Sequence, residues 1–475
     1  MRAHRYLKAL GQVGAAMTLG IGLSWPVTAS ADTLADALVG AYNHSGLLDQ
    51  NRALLRAADE DVAIAKAQLK PIIRWSGGLS QSFGDRRTDG TFASDTSVEN
   101  LSATINLIGE LLLYDFDTSK YRIEATKETV LATRQALESL EQRVLLRAVS
   151  AYMGVIEASE FVALRNNNLR LLTQELRAAR DRFDVGEVTR TDVALAEAQL
   201  AQARSGLAGA EGNLLRAIEE YRNSVGRAPG QLRAPPNLPE IPRSIDAAKA
   251  LAVRTHPDMH AAQHQVAAAD LSINSSIADM KPKVRLTGRY GLTENFDSDA
   301  HSHVGSVGIE VGQTIYQGGA LSANVRKNMA QRDAQRANLH VVRHNVEQAV
   351  GDAYAQLAAA RAQLEASDGQ IRAARVAFRG VREEATLGAR TTLDVLDAEQ
   401  ALLDAESTRV SARAALYVAT YSVLSATGQL TAQDLGLPVQ IYDPAAYYNL
   451  VKDGPVLISK QGQKLDRVLR ALQKD

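Results

Sequence analysis

The chain has 475 residues, 45% hydrophobic but only 5% aromatic, with a formal net charge of -1 and no cysteine. So few aromatics argue against a compact enzyme core, and the balanced charge argues against a nucleic-acid partner. Without cysteine there is no disulfide, thiolate metal site, cysteine nucleophile or lipid-bearing N-terminal cysteine.

The N-terminus reads as an export signal. Arg2, Arg5 and Lys8 form a basic segment, Leu10 to Leu23 an apolar one, and Ala29-Ser30-Ala31 a small-x-small cleavage site. Residues 1–31 are therefore a predicted signal peptide, cut before Asp32. The apolar run is shorter than the ~20 residues that a membrane span needs. No later segment approaches a transmembrane helix, so the exported chain stays in the periplasm or enters the outer membrane as β-structure.

From here the chain is a duplication. A first repeat covers 32–226 and a second 245–428. Leu113-Tyr114-Asp115 corresponds to Ile315-Tyr316-Gln317. At the same constant separation Ala151-Tyr152 corresponds to Ala353-Tyr354, Val185-Gly186 to Leu387-Gly388, and Asp192-Val193 to Asp394-Val395. Each repeat opens with a predicted helix, Leu34 to Leu69 or Ile245 to Met280, followed by Lys-Pro. Two strands come next, at about 70–84 and 97–114 in the first copy and about 281–295 and 304–316 in the second. A very long helix then runs to Gly186 or Gly388, and a last helix follows the turn. Between the repeats, 227–244 carries Pro229, Pro235, Pro236, Pro239 and Pro242, and can be neither helix nor central strand. Residues 429–475 form a C-terminal extension.

Stretches rich in Ala, Leu, Gln, Arg and acidic residues suit long paired helices. Ile123, Val130, Leu137, Val144 and Ala151 recur every seventh residue, as do Val325, Leu339, Val346 and Ala353 with Arg332 as the polar exception. An unbroken helix from Tyr316 to Gly388 would be roughly 100 Å long, too long for a globular core.

The strands alternate with a period of two. Val284, Leu286, Tyr290 and Leu292 face away from Arg285, Thr287 and Arg289, and Val307, Ile309, Val311 and Ile315 alternate with Gly308, Glu310, Gly312 and Thr314. Leu101, Ala103, Ile105 and Leu107 repeat the pattern, while Ile73, Trp75 and Leu79 are less regular. Such runs suit tilted transmembrane strands. Trp75, Phe83, Tyr114, Tyr290, Phe296 and Tyr316 lie near predicted strand ends, as an interfacial aromatic girdle would. Polar loops, Gly84 to Ser97 and Asp297 to His303, join each pair. Four strands cannot close a barrel, and open edges do not occur in lipid. Three chains would supply twelve strands in a symmetric barrel. The alternative is a soluble periplasmic helical adaptor or scaffold.

These features resemble the TolC family of outer-membrane efflux and secretion channels, over nearly the whole exported chain. The local motifs are Gly186-Glu187-Val188-Thr189-Arg190-Thr191-Asp192-Val193 and Gly388-Ala389-Arg390-Thr391-Thr392-Leu393-Asp394-Val395-Leu396-Asp397-Ala398. The resemblance implies a homotrimer with a 12-stranded β-barrel in outer-membrane lipid and a long α-helical periplasmic tunnel. Its turns, with Gly186, Val188, Thr189, Gly388 and Ala389, would form the periplasmic tip and dock on an adaptor and an inner-membrane transporter. The family places a gate link at Asp192 and Arg390, and an entrance ring of aspartates at Asp394 and Asp397. Two departures, Ala385 for the family's linking tyrosine and Ala389 for a neighbouring threonine, imply fewer closing links. A threefold ring of carboxylates would favour cations; the alternative is that these aspartates are ordinary charges at a helix start. The implied cargo is an exported protein or a small molecule, moved passively, and the resemblance favours the type I secretion branch.

No enzyme signature or cofactor motif is found. His260 and His264, His340 and His344, and His301 and His303 have spacings that can bind a metal, but the sequence fixes no third ligand and no metal is assigned. Gly318-Gly319 reads as a strand-to-helix turn.

Overall fold

A computed structural model describes residues 32–88, 94–235, 237–456 and 458–472; the predicted signal peptide lies outside them. The chain runs α1 (Leu34–His44), α2 (Gly46–Ala67), β1 (Ile72–Thr88), β2 (Ser94–Tyr114), α3 (Thr118–Asp184) and α4 (Arg190–Val225). The order then repeats with α5 (Ile245–Thr255), α6 (Pro257–Ala278), β3 (Lys283–Asn295), β4 (His301–Gly312), α7 (Ala320–Thr386) and α8 (Thr392–Ala426). Helices α9 (Pro444–Val451) and α10 (Lys460–Leu472) follow. No helix among the described residues is long and apolar enough to cross a membrane.

Three local expectations need correction. The opening helix of each repeat is broken. Ser45 is extended and caps α2 by accepting from the Leu48 N–H at 3.3 Å. His256, held extended by the proline that follows it, caps α6 through Nδ1, which accepts from the Asp258 N–H at 3.1 Å. The first hairpin is longer than expected, since β1 reaches Thr88 and β2 starts at Ser94 inside the predicted loop. Conversely β4 ends at Gly312, so Ile315 and Tyr316 lie beyond it, on the approach to α7.

The four strands form one antiparallel sheet in the order β1-β2-β3-β4. Paired residues share a face, so the register sorts the side chains. One face carries the rows Trp75–Leu107–Tyr290 and Leu111–Leu286–Ile309, with Ile105–Leu292 beside them. The opposite face carries Ser76–Asn106, Thr104–Thr293–Ser302 and the Arg74–Glu110 pair, 2.9 Å apart. Among the described residues no layer covers the apolar face: Trp75 is 75% exposed and Val307 82%. Tyr290 stands in mid-strand within the apolar band rather than at its end. Tyr114 closes β2, and Phe296 follows β3, its N–H bound to the Leu101 carbonyl at 2.8 Å.

Each strand pair hands over to a long helix through two left-handed residues. In the second copy these are Gly318 and Gly319, at φ 54° and 83°; in the first they are Phe116 and Asp117, at 53° and 69°. Asp115 steadies the first junction, its Oδ2 accepting from the Ser119 N–H at 2.8 Å. Helices α3 and α7 contain 67 residues each, roughly 100 Å at the helical rise.

The main core lies midway along the helices, where α3 (Leu145, Val149, Tyr152) meets α1, α4, α8 and the segment around Leu430. The proline-rich linker crosses here with carbonyls that no ladder satisfies. The Tyr152 hydroxyl donates to the Arg233 carbonyl at 2.6 Å, and its duplicate Tyr354 donates to the Pro242 carbonyl at 2.7 Å. A buried acceptor left without its donor costs about 1–3 kcal/mol. Replacing Tyr152 or Tyr354 by phenylalanine is therefore expected to lower unfolding stability by about 1 kcal/mol or more, most at the fully buried Tyr152, as thermal denaturation in detergent would measure.

Candidate functional site

The two helix–turn–helix tips, Arg182 to Val193 and Glu384 to Val395, concentrate the residues that the sequence singles out. Each long helix ends in the same carbonyl-capping turn. The Gly186 N–H reaches the Phe183 carbonyl and the Glu187 N–H the Arg182 carbonyl, at 3.0 and 2.9 Å; Gly388 and Ala389 repeat this on Ala385 and Glu384 at 3.1 and 2.9 Å. The turn requires a left-handed residue after the helix, and Gly186 and Gly388 supply it at φ 81° and 78°.

Three residues later stands the N-cap of the next helix, Thr189 or Thr391, in a capping box. Asp192 Oδ2 accepts from the Thr189 N–H at 2.9 Å and the Thr189 hydroxyl at 2.7 Å. Asp394 Oδ2 accepts from Thr391 in the same way, at 2.9 and 2.8 Å. The Thr189 hydroxyl holds the Asp192 carboxyl below its ordinary range, and the Thr391 N–H does the same for Asp394. Both therefore remain anionic at neutral and mildly acidic pH. The motif's physical role within one chain is thus helix initiation, with the second carboxylate oxygen left over. Asp397, one turn further on, is exposed and makes no side-chain hydrogen bond or ion pair among the described residues.

Within one chain Arg390 does not meet Asp192. Its Nε donates instead to Glu384 Oε2 at 2.9 Å, inside its own turn. Three features of the tips escaped the sequence reading. Glu384 is one. The second is a pair of apolar side chains at duplicate positions, Val185 and Leu387, which are 71% and 85% exposed; the repeat alignment already paired them, and only exposure distinguishes them from core residues.

The third is the seam between the two hairpins. Leu396 of α8 packs on Leu172 and Leu176 of α3. Polar contacts extend the seam: Arg382 to Glu175 at 3.2 Å, Asn168 to Glu399 at 2.7 Å, Ser411 to Glu157 at 2.7 Å and Arg413 to Glu160 at 3.4 Å. Glu399 is buried, and its Oε2 has no hydrogen-bond partner. Burial pushes its carboxyl up to about 7, and neighbouring Glu175 adds to the rise while the Asn168 amide and Arg382 oppose it.

The histidine pairs are dispersed. His264 Nδ1 lies 2.7 Å from Glu128, and the His301 and His303 rings are 5.9 Å apart in the sheet. No group of three or more metal-ligating side chains occurs among the described residues.

The family profile described as Outer membrane efflux protein matches residues 39–227 and 250–429, one match on each repeat. Outer membrane efflux protein BepC of Brucella suis biovar 1 (strain 1330) is 36% identical over 449 residues, covering 93% of this chain and 95% of that protein. Outer membrane protein TolC of Escherichia coli (strain K12) is 24% identical over 403 residues, covering 80% of each. Among solved structures, the Campylobacter jejuni CmeC outer membrane channel superposes with a TM-score of 0.72 at 16% identity, over 88% of this chain and 89% of that one.

Glu399 makes one measurable demand. Its carboxyl ionises near 4.5 when exposed and near 7 when folded. Below the first value both states hold the proton. Between the two the unfolded chain releases it first, so stability falls as pH rises, and above the second the penalty is constant. Glu399→Gln should raise the melting temperature at pH 8 and leave it unchanged at pH 4; an equal shift at both pH values would contradict the burial of an ionisable carboxyl.

Proposed function

The chain belongs to the outer membrane efflux protein family, and we propose from that premise that three copies close a 12-stranded barrel and a continuous helical tunnel. The protein is an outer-membrane channel, with its helical part in the periplasm, that provides a passive exit route for efflux or secretion. As such a channel it would work with an adaptor and an inner-membrane transporter, whereas a soluble scaffold would have no use for a sheet that is apolar on one face.

One observation carries the trimer reading. The sheet has two uncovered faces, one apolar and one polar, and β1 and β4 are both open edges. In lipid an unpaired edge costs several kcal/mol for each unsatisfied group. Joining β4 of one copy to β1 of the next removes every edge, turns the apolar rows to lipid and puts the Arg74–Glu110 face on the lumen.

At the tips, the turns with Gly186, Val188, Thr189, Gly388 and Ala389 dock the adaptor, with Val185 and Leu387 as their apolar anchors. Asp394 and Asp397 form the threefold ring at the entrance. Asp192 and Arg390 form the gate link between neighbouring turns, for which Arg390 must exchange Glu384 for Asp192 of the next copy. The cargo is an exported protein or a small molecule, and the transporter selects it.

Purified protein in detergent should have the mass of a trimer and form small cation-selective pores in planar bilayers. A monomer without pores would remove the barrel. Asp397→Ala, which leaves both capping boxes intact, should reduce cation preference. Asp192→Asn, which keeps a capping group, and Arg390→Ala should each increase single-channel conductance; unchanged conductance in both would eliminate the link.

A further inference from the structure

The C-terminal extension and the base of the barrel share a cationic surface that the channel reading leaves unused. Between α2 and α3 lies a groove of about 440 Å³, lined by Lys66, Lys70, Lys120 and Lys127 above the apolar side chains of Leu69 and Ile123. Two acids reach it: Glu124 pairs with Lys127 at 2.6 Å, and Asp453 with Lys66 at 3.6 Å. Lys120 is exposed and has no hydrogen-bond or ion-pair partner among the described residues. The groove keeps a net positive charge.

Its position is set by the chain. Lys70 and Pro71 lead directly into β1, which begins at Ile72. At about 3.3 Å per extended residue, Lys70 lies within ~7 Å of the strand, the depth of a lipid headgroup layer below the hydrocarbon. The Lys70 ammonium donates to the Asp453 carbonyl and, at 3.3 Å, to that of Gly454. The turn between α9 and α10 is thereby pinned to the rim of the barrel.

Helix α10 starts from that turn. One stripe, Leu465 and Leu469, packs on Tyr447 and Val451 of α9. A second stripe, Lys460, Lys464 and Arg467, is exposed, with Arg470 beyond it. Beside these cations Ile458 is 88% exposed, Val456 67% and Val468 40%. Val456 and Ile458 lie in the segment that leads into the helix, and an exposed basic helix face with exposed apolar side chains at its start suits an anionic membrane surface.

We propose that the α2–α3 groove and α10 together bind an anionic phospholipid of the periplasmic leaflet. The phosphodiester lies among Lys66, Lys70 and Lys120, the acyl chains run past Leu69 toward the barrel wall, and α10 rests on the adjoining headgroups. This rests on the barrel reading above, since it needs the β1 rim at the membrane boundary. Lys66 and Lys70 then have two tasks, holding Asp453 and facing the phosphate, so lipid binding and the docking of the C-terminal segment support each other.

The test uses the full exported chain, purified in detergent and titrated separately with phosphatidylglycerol, phosphatidylcholine and inorganic phosphate, with bound lipid counted by native mass spectrometry. A basic residue near an anionic surface contributes roughly fivefold in affinity. Phosphatidylglycerol should be retained at least about fivefold more tightly than phosphatidylcholine. Lys70→Gln with Lys120→Gln, and separately Lys464→Gln with Arg467→Gln, should each erase most of that preference. Equal retention of the two lipids, or unchanged preference in both double variants, would overturn the proposal. So would complete displacement of the lipid by millimolar inorganic phosphate, which would mark a site for free phosphate. The trimer mass and conductance of the same preparations report on the channel independently, so equal retention of the two lipids by the unsubstituted protein in an intact pore counts against this inference alone.

Discussion

The obligation of backbone polar groups to find partners governs this molecule. In lipid there is no water to satisfy a strand edge, so a chain that enters the membrane with four strands must finish its sheet elsewhere. The sheet here is already sorted into an apolar and a polar face by its register, and only its two edges are unfinished. The same obligation acts at each helix end, where the capping turns and capping boxes of the tips satisfy carbonyls and N–H groups that are exposed at the extremity of a long lever. It acts again at the waist, where Tyr152 and Tyr354 supply donors to a proline-rich linker that can make no ladder of its own.

Duplication explains why these solutions come in pairs, and the differences between the copies are informative. Both strand-to-helix junctions need two left-handed residues. The second copy uses glycines at no steric cost. The first uses Phe116 and Asp117, which cost more, and Phe116 stacks on Tyr114 at 4.7 Å while the Lys281 ammonium lies 5.6 Å from its ring. The copies also differ at the tips: Arg390 with Glu384 has no counterpart among the hydrogen bonds of the first turn. The two unequal hairpins meet along the seam through Leu396, Glu399 and Arg382.

The physical roles of the tip aspartates are layered. Each caps a helix within its own chain, which needs one carboxylate oxygen and accounts for the Thr-x-x-Asp spacing in both copies. The proposed ring and gate call on what is left, so a substitution that removes the carboxylate also weakens a helix start. Asp397, outside the box, separates the two effects. Glu399 works in the opposite way: the motif around it reads as an amphipathic helix start, and nothing in the local pattern marks its carboxyl as buried without a full set of partners.

The sequence by itself determined the order of elements within each repeat, the duplication, the two-residue alternation of the strands and the glycine turns. Apart from the duplication, which is read by aligning the two halves of the chain, these are short-range, because a period of two, a period of seven or a required positive φ is written in neighbouring residues. Tertiary structure alone decided the strand register that joins Trp75, Leu107 and Tyr290 in one row and the seam that brings Leu396 onto Leu172 and Leu176. It also decided the burial of Glu399 against Asn168 and the capture of Asp453 by Lys66 and Lys70 across nearly the whole chain. Those depend on which surfaces meet in space, and residues hundreds of positions apart carry no local pattern that predicts their meeting.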